Sequence, residues 1–130
     1  MRKTAKERLA ERDARARSEL FDTLFDAWIG GANNAALVER LGAIDARDKA
    51  AVAEALRSDI EPRFAELTRE TQGRIRTAIS IIAEAGGEEF RVYWLELPPP
   101  FGATEAEADA IFPVLAKALG VRLPDTHSGG

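Results

Sequence analysis

Cysteine is absent from the 130-residue sequence, which excludes disulfides, thiolate nucleophiles and cysteine-ligated metals. Histidine is nearly absent: the one copy, His127, sits in the polar run Asp125 to Gly130, where neither a catalytic triad nor a multi-histidine metal site can be built around it. No window reaches the roughly 20 consecutive apolar residues of a membrane span, and the basic N-terminus has no apolar stretch behind it. The expectation is a cytoplasmic protein with no membrane partner. Phosphate-cradling loops are missing as well, because Gly30-Gly31 and Gly86-Gly87 have the spacing of helix stops. An enzyme would have to be assembled from Arg74, Arg76, Glu84, Glu88, Glu89, Arg91, Tyr93 and Glu96. With no nucleophile or metal set beside them, these residues read as turn and surface charges. The chain is accordingly taken as non-enzymatic, with no catalytic residues, no metal and no cofactor.

Aromatic residues are scarce at 7%, yet 45% of the chain is apolar, much of it alanine, and 31% is charged. That balance describes a folded, helix-favouring chain with one core, here residues 1–124 as a single domain and 125–130 as a disordered tail. Arginine outnumbers lysine fourteen to four, the codon bias of a GC-rich bacterial genome, which has no bearing on activity. The net charge of −4 conceals an asymmetry: residues 1–17 hold seven basic and three acidic groups, a basic helical arm on an acidic body. Arg2, Lys3, Lys6, Arg8, Arg12, Arg15 and Arg17 are the candidates for contacting a nucleic acid. A solvated helix extension accounts for the same residues, since Glu7 and Glu11 each meet a basic residue within four positions.

Residues 2–29 lack glycine and proline and predict a helix whose first half carries one large apolar residue, Leu9, while Leu20, Phe21, Leu24, Phe25 and Trp28 form an apolar face in the second. Asn33-Asn34 predicts a cap for a short helix to about Leu41, and Asp45 one for a helix to about Asp59, broken or restarted at Glu61-Pro62. A helix-turn-helix across Leu37 to Leu56 is disfavoured by charge, because its recognition helix would carry Asp45, Asp48, Glu54 and Asp59 against Arg47, Lys49 and Arg57. Residues 74–82 fit both a helix face and a strand face. Helix is favoured by a threonine cap at Thr68 or Thr71 and the Gly86-Gly87 stop. Thr104 to Glu107 is a capping box for a last helix in which Pro113 predicts a kink or a split.

Phe90 to Leu97, closed by three prolines, reads as a β-strand with apolar residues on both faces. The fold class expected is therefore mainly α, about five helices around a small extended element. Its strand at 90–97 would pair in a hairpin with 74–82, with 121–124, or with another chain. An unpaired strand edge flanked by aromatic anchors suits β-augmentation. Phe90, Val92, Tyr93, Trp94, Pro98, Pro99, Phe101, Phe25 and Trp28 are the candidate partner-binding residues. The leading function is then a protein–protein interaction module, such as a small adaptor, assembly chaperone or inhibitor, whose partner is another protein or itself as a homodimer. The alternative is nucleic-acid binding by the basic arm.

Overall fold

The computed structural model describes residues 4–29, 35–97 and 101–123. In these the chain forms eight α-helices and one π-helical turn: α1 (Ala5–Leu24), α2 (Asp26–Ile29), α3 (Ala35–Gly42), α4 (Lys49–Ala55), the π turn (Leu56–Ile60), α5 (Glu61–Glu66), α6 (Arg69–Glu84), α7 (Glu88–Glu96) and α8 (Glu105–Ala118). The mainly helical reading holds. The extended element does not, since no strand occurs among the described residues.

Residues 90–97 are the central correction. They lie almost wholly in α7, so 74–82, inside α6, have no strand to pair with, and 121–123 form none either; Pro124 is outside the described residues. Phe90, Tyr93, Trp94 and Leu97 recur at three- and four-residue spacing. All but the half-buried Leu97 are buried, whereas the Phe90–Val92–Trp94 alternation that suggested a strand is broken by an exposed Val92. A helix also satisfies its own backbone groups, which a lone strand cannot. The start signal is Gly86-Gly87. These glycines, at φ 98° and 85°, close α6 with a bond from the Gly87 amide to the Ile82 carbonyl, and Gly87 then serves as the N-cap of α7. Glu88 and Glu89 follow in the first turn, where carboxylates complement the helix dipole.

Other boundaries follow local chemistry. Asp48, not Asp45, caps α4 by accepting from the amides of Ala50 and Ala51, while Asp45 accepts from the Arg47 amide in the turn before it. Pro62 does not break the chain into separate pieces. It lacks the amide that would bond to the Ser58 carbonyl, and the preceding turn widens to a π turn closed by the Glu61 amide on the Leu56 carbonyl. Thr68 caps α6 through the Thr71 amide, and Thr104 caps α8 through the Glu107 amide. Of the kink or split expected at Pro113, the split does not occur: α8 runs through it as one helix.

The core gathers the inner faces of all these helices: α8 packs on α7 and α4, and α1 lies along α6. Arg63 of α5 donates to the Thr23 carbonyl near the end of α1, just before α6 begins, whereas Arg17 reaches Glu89 just after α6 ends. Helices α1 and α6 are therefore antiparallel. No polar or charged residue is buried among the described residues.

Candidate functional site

Of the aromatic set expected to anchor a partner, Phe25, Trp28, Phe90, Tyr93, Trp94 and Phe101 are buried and packed on one another. Phe90 stacks on Trp94 at 5.9 Å, Phe25 on Trp28 at 5.6 Å, and Phe101 meets both indoles edge-on at 5.4 and 5.7 Å. Their polar atoms are satisfied inside the chain: Trp28 Nε1 donates to Asp59 (2.7 Å), Trp94 Nε1 to the Gly102 carbonyl (3.1 Å), and the Tyr93 hydroxyl to Asp22 (2.8 Å). Burial and this bond to a carboxylate push the Tyr93 phenol well above its ordinary pKa. These residues are packed into the core. Val92 alone of the set is exposed, while Pro98 and Pro99 lie outside the described residues.

The charged residues of α6 and α7 do not converge on one site. Arg74 pairs with Glu70, Arg91 with Asp109 and Glu88, and Arg76 donates to the Leu119 carbonyl with its guanidinium 5.0 Å from the Phe64 ring centre. Among the described residues no group of three acidic or histidine side chains is placed to hold a metal.

The arm is where the surface becomes distinctive. Thr4 and Glu7 close a full capping box, each side chain bonded to the other's backbone amide. From Ala5 to Asp13 every residue of α1 is exposed, so more than two turns of helix stand clear of the body, about 13 Å at helical rise. Leu9, 56% exposed, sits in this stretch with Lys6, Arg8 and Arg12 around it. Arg8, Arg12 and Arg15 share a face at four- and three-residue spacing and are all exposed. Arg17 is withdrawn from the basic set: it forms a two-point ion pair with Glu89 at 2.6 and 2.8 Å, which raises the guanidinium pKa further and ties α1 to α7. Arg2 and Lys3 are outside the described residues.

Where the arm joins the body, a groove of about 610 Å³ runs between α1 and α6, lined by Ala16, Leu20, Gly73, Ala78 and Ile81 and by the polar Asp13, Arg17, Glu70, Arg74 and Thr77. Ile81 is 44% exposed. The sequence contained its signal, because Ile81 falls off the face made by Ile75, Ala78, Ile79 and Ile82, just as Leu9 stands apart from the run that begins at Leu20. Neither was singled out as a contact residue. On the other side of α1, Val92 is 49% exposed within a shallow depression that includes Glu88, Glu89 and Glu96.

No protein-family model matches the chain, and neither the curated proteins nor the solved structures provide a match.

Proposed function

We propose that this protein is a non-enzymatic protein–protein interaction module, an adaptor, assembly chaperone or inhibitor, whose contact element is the projecting half of α1 together with the groove at its base. The observation that supports this reading is the exposure of every residue from Ala5 to Asp13. This half of α1 continues a helix anchored at its other end, is capped at its start and exposes a leucine along its length. A partner that covered Leu9 would supply a face for it to pack on. Affinity capture from host extract with the intact chain and with Leu9→Asp tests this. Proteins retained by the intact chain should be lost or strongly reduced with the variant, and identical retention by both would remove the arm from the contact.

A second reading, nucleic-acid binding, rests on the shared face of Arg8, Arg12 and Arg15. It requires affinity that falls steeply with salt and disappears when those three residues become glutamine, read by a gel-shift titration. Three arginines against an acidic body give this reading the smaller electrostatic footprint.

A further inference from the structure

We propose that the partner of the arm is a second copy of this chain: two α1 helices pair antiparallel across a two-fold axis, and Leu9 of each enters the α1/α6 groove of the other, beside Leu20 and Ile81. The inference rests on the interaction reading above and names its occupant.

Leu9, Ala16 and Leu20 lie along one side of α1, at seven- and four-residue spacing. The exposed leucine and the groove thus share a helix face and are offset along it, with Leu9 about 16 Å from Leu20 at helical rise. A protruding group and a recess displaced along the same face cannot meet within one molecule. A two-fold axis perpendicular to the helix exchanges them, so both recesses fill at once and the contact closes. The groove can take a leucine, since Ala16, Leu20, Gly73, Ala78 and Ile81 make up the apolar half of its lining, the other half being charged or polar.

Charge selects the same arrangement. In the antiparallel register that sets Leu9 beside Leu20 of the second copy, Arg12 comes beside Glu19 on one flank, and symmetry repeats the pair, while Asp13 lies on the seam opposite Ala16 and Arg17 stays with Glu89. Arg12 and Glu19 are both exposed. A parallel pairing would instead set Arg12 against Arg12 and Leu9 against Leu9, leaving both grooves empty. The basic arm thus meets the more acidic part of its twin, in keeping with the segregation of charge along the sequence.

Sedimentation velocity over a concentration series tests this directly. The intact chain should show a reversible monomer–dimer equilibrium, and Leu9→Asp should weaken it on the order of a hundredfold or more, because each dimer buries two such leucines. Arg12→Glu and Glu19→Arg should each weaken pairing, and the double variant should restore it to within about threefold of the intact chain. All three positions are exposed, so circular dichroism should stay helical throughout. A chain that remains monomeric at about 200 μM, well above the micromolar dissociation constants of small interfaces, would overturn self-pairing. The interaction reading would then stand or fall on the Leu9→Asp capture experiment. Dimers unaffected by Leu9→Asp, or a double variant no better than the singles, would equally refute this geometry.

Discussion

Single side chains in this fold are fixed by polar atoms at the edge of an otherwise apolar interior. Tyr93 puts its ring against Phe21, with centroids 5.3 Å apart, and its hydroxyl on Asp22. Removing the hydroxyl with Tyr93→Phe should cost about 1 kcal/mol in urea unfolding at neutral pH. The native state keeps the phenolic proton where the unfolded chain, with an ordinary pKa of 10.0, releases it. The stability this group contributes is therefore complete below pH 10 and is lost as pH rises above it. Denaturation midpoints taken on both sides of pH 10 should fall more for the intact chain than for Tyr93→Phe. Gly102 is constrained by both conformation and space: its φ is +67°, and a Cβ there would lie 2.5 Å from Ile111 Cδ1 and 3.3 Å from the Ala46 Cβ. Gly102→Ala should destabilise by about 1 to 3 kcal/mol, since the neighbours are core atoms and the left-handed backbone is strained for any side chain.

At the level of helices, Gly73 presents the opposite case. It lies inside α6 with nothing within 4 Å of the position a Cβ would take. Gly73→Ala should raise stability by about 1 kcal/mol through helix propensity, a shift readable as a higher thermal midpoint. The same helix shows what the sequence made legible. Its threonine cap, its glycine stop and its buried face of Ile75, Ala78, Ile79 and Ile82 all agree, and α6 forms as expected. In α7 the signals conflict. Eight residues rich in aromatic side chains satisfy a two-residue alternation and a helical spacing at once, and the contest is settled by Gly87, which restarts a helix at the point where it ends the one before. The error spread from element to site. Residues expected on an exposed strand edge are buried once the strand is a helix, whereas the arm, whose helical character and sparse apolar content were plain, emerges as the exposed feature. The groove was beyond reach of the sequence because it needs the antiparallel placement of α1 on α6, a tertiary fact.

For the molecule as a whole, α1 divides into a half that belongs to the core and a half that does not. The ion pair of Arg17 with Glu89 and the burial of Phe21 and Leu24 mark the start of the anchored half. Deleting residues 1–12 should therefore leave the urea midpoint of dilute protein unchanged to within about 0.5 kcal/mol, the range of substitutions that touch no buried group. A larger loss would show that the projecting half is coupled to the core. The deletion removes more basic than acidic charge, so the remaining body is more acidic than the whole and should bind anion-exchange resin more tightly.

Both indoles lie deep among other rings, Trp28 at 6% and Trp94 at 0% exposure, and they stand 6.3 Å apart. Intrinsic fluorescence will consequently report loss of the core with a large red shift, yet stay silent while events occur at the tip of α1. The cysteine-free sequence turns this into an advantage: one thiol introduced near Leu9 takes a dye at a single defined place, and the two emissions then separate docking from melting in the same cuvette.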